Sequence, residues 1–317
     1  NEQYSLIKAD CGLTIACYPM PKHNGIHAVF ATKFGSINRR FSVDGEDMEI
    51  PAGVAHFLEH KMFENEDGDA FEKFAKTGAN ANAFTSFDKT CYIFTATDKI
   101  DESLDILLSF VTTPYFTPQT VEKEQGIIGQ EIRMYEDEPG WESLFVLLRA
   151  MYHEHPVRID IAGTVESISH ITADLLYECY NTFYNPANMA LAVAGKTSVD
   201  EVLEVADRLL EADEYVTVER TFLDEPSHIV KDYVEEILPV VTPVFAFGFK
   251  ESHSSPERTL QEEVAMSVIL DILAGQMSTL YRELLDDGLV NNTFSTEYFH
   301  GYNYAAPLFS GESVNPR

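Results

Sequence analysis

The chain has 317 residues, of which 45% are hydrophobic and 12% aromatic, enough apolar sequence for one large domain or two ordinary ones. Its formal net charge of −30 argues against nucleic acid and anionic membrane surfaces as partners, since both would be repelled. No run of about 18 or more apolar residues is present, which predicts no membrane span. The negative charge favours basic peptides as substrates if the acidic groups line a cavity. Solvated carboxylates on the surface are the simpler explanation of the net charge.

The four cysteines at positions 11, 17, 91 and 179 form no C-x-x-C pair and are too sparse for a disulfide scaffold. Cys17 and Cys91 lie in strand-like apolar runs, where a buried free thiol is expected. These features indicate a reducing compartment, and we expect a cytoplasmic protein. Because the chain starts at Asn1 without an initiator methionine, a removed targeting segment is left open.

The first half of the chain alternates strand and helix patterns. In order, the predicted elements are strands 13–18 and 27–34, helices 53–60 and 69–76, strands 79–86 and 90–97, and helices 104–111, 117–135 and 142–152. Thr117 is the predicted N-cap of its helix, with Pro118 in the first turn. Pro139 and Trp141 are predicted to form a loop.

The second half continues as helix 174–183, strand 189–194, helix 199–210, strand 240–249 and a helical stretch 257–285 interrupted at Gly275. The acidic segment 211–225, followed by Pro226, is poor in core residues and predicts a boundary between a first domain, 1–215, and a second, 226–317. The strand and helix pattern that follows Pro226 resembles an incomplete second copy of the pattern at the start of the chain. The element order predicts an α+β fold.

The predicted helix at 53–60 carries the strongest chemical signal. His56 and His60 lie one turn apart on the same face, a spacing at which two imidazoles can bind one metal ion, and Glu59 points to the same side. H-x-x-E-H is the inverted zinc-peptidase signature, with the histidines as ligands and the glutamate as general base. Chance alone would place it in about three such chains per hundred. An amphipathic helix with two half-buried histidines is therefore the alternative.

Two histidines leave a catalytic zinc one protein ligand short. The helix at 117–135 offers Glu122, Glu124 and Glu131, of which Glu124 and Glu131 lie two turns apart on one face. Glu131 is the predicted third ligand. Glu124 would orient a histidine Nδ1–H or hold charge near the metal. The alternative is that both are solvent-facing acids on an acidic protein.

Three segments together resemble the pitrilysin/insulinase metallopeptidases, and among these the processing-peptidase-like branch. They are the H-x-x-E-H helix, the E-x₆-E pair formed by Glu124 and Glu131, and the strand Asn82-Ala83-Phe84-Thr85. In that family the third zinc ligand is the second glutamate of such a pair, and Glu131 lies 71 residues beyond His60. The resemblance covers residues 1–210 well and continues more faintly to the end of the chain.

The resemblance implies two similar α+β halves, each an antiparallel sheet packed with helices, the second half being incomplete in this chain. It implies one Zn²⁺ per chain, held by His56, His60 and Glu131, with Glu59 and Glu124 acting in catalysis. It also implies an extended peptide substrate that adds to an edge strand and is bound there by Ala81, Asn82, Ala83 and Phe84. A homodimer, or a heterodimer with a related chain, would fit the same family.

Two functions are compatible with these features. The first is a zinc-dependent peptidase that hydrolyses extended peptides; the second is a non-turnover or partner-dependent peptide-binding subunit of a two-chain assembly. The family usually supplies an arginine and a tyrosine from the second half, whereas here Arg282 lies a turn too early and Asn291 occupies the tyrosine position. Ribosylhomocysteine lyases share H-x-x-E-H but are much shorter and lack the E-x₆-E helix. Met62, Phe63, Phe71 and Phe74 are predicted to be core residues.

Overall fold

The computed structural model describes residues 3–210, 217–251 and 257–316. The chain forms two compact units, one of Asn1–Gly129 with Ile161–Thr221 and the other of Gln130–Asp160 with Phe222–Arg317. The segment 130–160 therefore groups with the later part of the chain. The predicted end of the first domain at residue 215 lies outside the described residues, and the division into domains 1–215 and 226–317 stays a prediction.

In chain order, the first elements are β1 (Ser5–Lys8), β2 (Thr14–Pro19), β3 (Ile26–Thr32), β4 (Arg40–Val43), β5 (Glu46–Glu49), α1 (Val54–Met62), β6 (Glu64–Asn65), β7 (Gly68–Asp69), α2 (Ala70–Thr77), β8 (Asn80–Thr85) and β9 (Thr90–Ala96). They are followed by α3 (Ile100–Val111), α4 (Pro118–Glu136), α5 (Pro139–Met151), α6 (Val165–Ile168), α7 (Ala173–Phe183), β10 (Met189–Gly195), α8 (Val199–Leu209) and β11 (Val218–Arg220). Helix α4 is continuous across the division between the units, and α5 belongs to the second unit.

The main sheet of the first unit has six strands in the order β1-β2-β10-β3-β9-β8. Its neighbours pair antiparallel except β10 and β2, which run parallel. The expectation of a purely antiparallel sheet is corrected at this one pair. A parallel pair needs a long crossover, and the helices between β2 and β10 supply one. Strand β8, which carries the predicted peptide-binding residues, is an edge strand, as the resemblance implies.

One face of this sheet is covered by helices. Residues alternate in burial along β3, so that Ala28 and Phe30 are fully buried while His27 is exposed. Tyr92 and Phe94 of β9 are fully buried beside them. Helix α1 packs against β8 and β9, and α3 packs against β9 and β3. The motif helix is therefore fixed under the edge of the sheet.

The second unit repeats part of this topology. Its strand β12 (Val244–Gly248) is followed by α9 (Leu260–Ala274), α10 (Thr279–Asp286), β13 (Ser295–Gly301) and β14 (Tyr304–Glu312). The strands pair antiparallel in the order β12-β14-β13, which matches β3-β9-β8 with two helices after the first strand. The predicted second copy and the α+β class are confirmed.

One local expectation fails, and two strands are missing from the sequence-based prediction. Pro139 begins α5 instead of lying in a loop, because Glu138 caps the helix by accepting a hydrogen bond from the Trp141 N–H and proline is tolerated in a first turn. The missing strands are β13 and β14; Pro307, in the middle of β14, weakens the strand signal of that segment.

Within the part of the chain that the structure describes, no single helix has both the length and the hydrophobicity needed to cross a membrane. Helices α9 and α10 pass that test on length and composition only when taken together, and they are bent by 40° at the break between them.

Candidate metal centre

Helix α1 begins at a position that requires glycine. Gly53 has φ 93°, and a Cβ placed there would lie 2.4 Å from the Ala162 carbonyl oxygen. The helix start is thereby pressed against the loop at Ala162. Phe57 and Leu58 are fully buried in the core, while His56 and Glu59 are each 9% exposed. These contacts fix the direction in which the motif residues project.

Helix α4 brings a second set of side chains to the motif. Thr117 caps it as predicted, accepting a hydrogen bond of 3.2 Å from the Thr120 N–H. Further along, the Gln125 side-chain amide donates to the backbone carbonyls of Ile168 and Ile171, at 3.3 and 3.0 Å. These bonds anchor the helix within the first unit. Glu124, directly before Gln125, is 9% exposed.

The three predicted metal ligands lie together. Ligand atoms of His56, His60 and Glu131 all fall within 4.8 Å of one another, and the two imidazole centroids are 4.6 Å apart. Although the two compact units divide just before Gln130, Glu131 is carried by the same unbroken helix as Glu124. Two imidazoles and one carboxylate are a donor set that suits catalytic zinc. The residues present therefore fit the ion that the motif predicts.

Glu124 contacts His60; the sequence alone did not show which of the two histidines it would orient. Its Oε1 lies 3.0 Å from Nδ1 of His60, and both side chains are largely buried, at 11% and 25% exposure. With Nδ1–H donating to this carboxylate, Nε2 of His60 is the nitrogen that can bind a metal. Glu124 thus has the orienting position that was one of its two predicted roles.

The carboxylate of Glu59 is held from the edge strand. The Thr85 hydroxyl donates to Glu59 Oε2 at 2.7 Å, and Thr85 lies 3.4 Å from the Thr90 hydroxyl, which donates to the Phe34 carbonyl at 2.9 Å. Sequence reasoning assigned Thr85 no role. Strand alternation places Ala83 and Thr85 on the same face of β8, opposite to Phe84, but it does not show which element that face contacts.

Strand β8 separates its four predicted peptide-binding residues by face. Asn82 and Phe84 are exposed, whereas Ala81 and Ala83 are half-buried opposite Phe94 and Tyr92. Asn82 and Ala83 line a cavity beside Glu59, and Asn82 Oδ1 accepts a hydrogen bond from the Ala83 N–H at 2.9 Å. Ala81 and Phe84 are not among the residues that line this cavity.

The four cysteines are buried and free. Burial raises the pKa of Cys91, next to β8, to about 11, and that of Cys179 to about 12. Both thiols are therefore protonated at neutral pH.

Comparison with known proteins agrees with this geometry. Residues 45–165 match the model of the family described as insulinase (peptidase family M16), and residues 170–310 match the peptidase M16 inactive domain. The chain is 42% identical over 316 residues to the uncharacterized zinc protease YmfH of Bacillus subtilis, covering 98% of this chain and 74% of that protein. The chain belongs to peptidase family M16, the insulinase family.

Further relatives and solved structures are similar to this chain. An uncharacterized zinc protease of Rickettsia felis is 28% identical over 214 residues, or 66% of this chain and 50% of that one. A crystal structure of an M16-like peptidase from Alicyclobacillus acidocaldarius matches with a TM-score of 0.95 and 40% identity, covering 99% of this chain and 75% of the other. Pitrilysin, at 16% identity and a TM-score of 0.74, shares the fold over 99% of this chain and 34% of its own. Homologues named zinc proteases support zinc use in the M16 family and peptidase-like activity at that coarse level.

Proposed function

We propose that this chain is the metal-bearing part of a zinc peptidase that hydrolyses extended peptides. The observation that carries the proposal is that ligand atoms of His56, His60 and Glu131 lie within 4.8 Å of one another. Glu59 lies between the two histidines on helix α1. His56, His60 and Glu131 would hold the ion. Zinc bound there would lower the pKa of a water molecule and stabilise negative charge on the scissile carbonyl oxygen.

The remaining steps fall to side chains of this chain. Glu59 accepts the proton of the attacking water and passes it to the nitrogen of the leaving amine. Thr85 donates a hydrogen bond to one carboxylate oxygen of Glu59 and so orients the carboxylate. Glu124 keeps the His60 imidazole in one tautomer and orientation. Asn82 and Ala83, on the edge strand, would bind the peptide main chain.

A second function rests on a specific departure from the family pattern. In the second unit Asn291, at the expected tyrosine position, donates from its side chain to Glu312 at 2.8 Å and caps a turn through Oδ1. An asparagine used in this way supplies no phenol to a substrate. A partner-dependent or non-turnover peptide-binding subunit, in a homodimer or with a related chain, is therefore the alternative proposal.

One experiment tests the first proposal. Glu59→Gln keeps the side-chain shape but removes the base, so we expect zinc content to be unchanged and kcat on a quenched peptide to fall by about two or more orders of magnitude. A chelator should abolish wild-type turnover, and zinc should restore it.

Glu122→Gln, an exposed charge change on α4, is the matched control and should behave as wild type. Undiminished hydrolysis by Glu59→Gln would remove Glu59 from the proposed role. Wild-type protein that binds peptide but shows no zinc-dependent turnover would favour the peptide-binding alternative.

A further inference from the structure

A chain of hydroxyl groups leads from the carboxylate of Glu59 into the core of the first unit. Its first member is Thr85, whose hydroxyl donates to Glu59 Oε2 at 2.7 Å. Its second member is Thr90, which is fully buried and lies directly opposite Thr85 in the register of β8 and β9. The two threonine hydroxyl oxygens are 3.4 Å apart. The side chain that contacts Glu59 is therefore itself in contact with a buried hydroxyl.

Two tyrosines continue the chain. The phenol oxygens of Tyr92, on β9, and Tyr184, directly after α7, are 2.8 Å apart. Tyr92 is fully buried and Tyr184 is 5% exposed. Burial raises the pKa of Tyr184, while its hydrogen bonds with Tyr92 and with Thr90 act in the opposite direction. Tyr184 therefore joins the pair of phenols to Thr90.

The protons of these groups can all point toward Glu59. Burial raises the pKa of both phenols, so each keeps its proton at neutral pH. The Thr85 hydroxyl gives its one proton to Glu59, so a hydrogen bond between Thr85 and Thr90 uses the Thr90 proton. The Phe34 carbonyl, 2.9 Å from the Thr90 hydroxyl, is the second acceptor for that proton. Tyr184 in turn can donate to the Thr90 oxygen, which gives a continuous row of donors behind the carboxylate.

Packing alone does not explain the phenol groups. The ring of Tyr92 packs against Phe110 and Phe63, at 5.6 and 6.0 Å between centroids, an apolar setting that suits phenylalanine equally well. Replacing both partners of a buried hydrogen bond by apolar groups of the same shape can be nearly neutral for stability. A linked set of buried hydrogen bonds does, however, specify the orientation of its members. The hydroxyl chain therefore indicates a role in orientation.

We propose that Tyr184 and Thr90 are positioning residues for Glu59, and that they act by holding the Thr85 hydroxyl in the rotamer that donates to the carboxylate. A threonine hydroxyl that accepts a hydrogen bond on one side and donates on the other has one favoured rotamer, whereas a hydroxyl without the acceptor role is free to turn. Tyr92 supports Tyr184 from one bond further away. The effect on turnover rests on the proposed peptidase function, in which Glu59 is the base.

A double-mutant cycle on turnover tests this role. Tyr184→Phe removes the hydroxyl and keeps the ring, so we expect kcat on a quenched peptide to fall about threefold or more, with KM and zinc content unchanged. Thr85→Val removes the hydroxyl through which Tyr184 acts. Tyr184→Phe should therefore cause no further loss of kcat in the Thr85→Val background. Equal losses in the two backgrounds, or no loss in the wild-type background, would overturn the positioning role.

Matched variants separate positioning from general damage to the core. The ring of Tyr180, on α7, stacks on that of Tyr184 at 4.9 Å, and its hydroxyl donates to the Val111 carbonyl at 3.1 Å. Tyr180→Phe thus removes a buried phenol hydroxyl outside the chain and should keep the wild-type kcat; a loss equal to that of Tyr184→Phe would contradict the proposal. Thr90→Val should reproduce the loss and Thr90→Ser should recover activity. Should Tyr184→Phe fail to fold because the Tyr92 phenol loses its partner, the variant with phenylalanine at both positions replaces it in the cycle.

Crystal structures of the variants give a readout that is independent of turnover. In Tyr184→Phe we expect Thr85 to take a second rotamer whose hydroxyl no longer contacts Glu59, whereas Tyr180→Phe should keep the contact at 2.7 Å. That rotamer change, together with a zinc-loaded wild type that shows no turnover, would sink the peptidase and retain the positioning role. Wild-type kcat and an unchanged Thr85 in Tyr184→Phe would retain the peptidase and sink the positioning role.

Discussion

At the scale of single residues, the Glu59 carboxylate is positioned by two elements. Helix α1 sets its backbone, and the hydroxyl of Thr85 on β8 fixes one of its oxygens at 2.7 Å. A carboxylate held at one oxygen presents the other in a defined direction, which is what proton transfer to a reacting water requires. Because β8 is also the edge strand, the proposed base and the strand proposed to bind the peptide are joined by one hydrogen bond.

Thr85→Val removes that bond while keeping the side-chain shape. We expect kcat to fall about tenfold or more, with KM and zinc content unchanged, because the carboxylate loses its orientation but the metal ligands and the strand do not change. Steady-state kinetics measures kcat and KM, and metal analysis measures the zinc content. Thr85→Ser, which restores a hydroxyl, should recover most of the activity. A wild-type kcat in the valine variant, or a loss confined to KM, would show that Thr85 does not position Glu59.

Glu124 is tested through metal affinity, a readout separate from turnover. Glu124→Ala removes the carboxylate 3.0 Å from His60 Nδ1, and we expect zinc affinity to fall about 10- to 100-fold because the imidazole is no longer held as a ligand. Competition with a chromophoric chelator measures the change. Glu122→Ala makes the same substitution at an exposed position of α4 and should leave the affinity at the wild-type value. Equal affinities for the two variants would refute the orienting role.

At the scale of elements, the site depends on where α1 and α4 begin and how they are anchored. The left-handed Gly53 lets α1 start against the Ala162 carbonyl, and Gln125 ties α4 to the loop after α6. The position of each helix is therefore fixed by contacts outside the candidate metal site: the backbone of Gly53 for α1 and the side chain of Gln125 for α4. Helical period alone places residues on one face of a helix, but these contacts decide which other elements that face packs against.

Two glycine substitutions in these helices should have opposite effects on stability. Gly53→Ala forces an alanine into φ 93° with its Cβ 2.4 Å from a carbonyl oxygen, so we expect a loss of about 2 kcal/mol or more in the free energy of unfolding. Gly126→Ala lies inside α4, where the added Cβ meets nothing within 4 Å besides its chain neighbours and the backbone of its own helix, and should gain about 0.5–1 kcal/mol. Urea unfolding measures both. A neutral Gly53→Ala would mean that the start of α1 can shift without cost.

At the scale of the whole chain, a strand-helix-helix-strand-strand pattern occurs once in each unit, but the repeats have different contents. In the first unit the pattern carries H-x-x-E-H, whereas α9 in the second unit has no histidine. The second unit instead holds a buried ion pair, Glu225 with Lys250, at 10% and 3% exposure. Glu225 also accepts hydrogen bonds from the N–H groups of His153, Glu154 and His155, at 2.7–2.9 Å.

This ion pair predicts acid sensitivity of the second unit. Burial raises the pKa of Glu225, but the hydrogen bonds from Lys250 and the three N–H groups outweigh burial and lower it to about 2, from an ordinary 4.5. Because the folded pKa is depressed, the stabilisation is fully present above about pH 4.5 and is lost as the pH falls toward 2.

Glu225→Gln should therefore be about 3 kcal/mol or more less stable at pH 7, since it also leaves Lys250 buried without its partner charge. The difference from wild type should shrink as the pH falls from 5 toward 2. Urea unfolding at a series of pH values checks both statements, with the exposed Glu154→Gln as a control that keeps its backbone contact. A stability difference that stays constant over this range would show that Glu225 is not the group that titrates.

Much of the metal centre was predictable because helical period is a local property. His56 and His60 one turn apart, and Glu124 and Glu131 two turns apart, must share faces wherever their helices lie. The edge strand and the α+β class also followed from local patterns and from the family resemblance. Strand β14 escaped prediction because Pro307 and Gly311 weaken its strand signal, and only pairing with β12 and β13 on either side stabilises it.

The sequence by itself determined which side chains could bind a metal and which could act as its base, since those properties belong to residue type and spacing within one helix. Only the tertiary structure decided that Thr85 meets Glu59, that Glu124 meets His60, and that Phe71 lines a cavity instead of the core. Each of these contacts joins residues from different elements, and their distances depend on how helices and strands pack, which no spacing along the chain encodes.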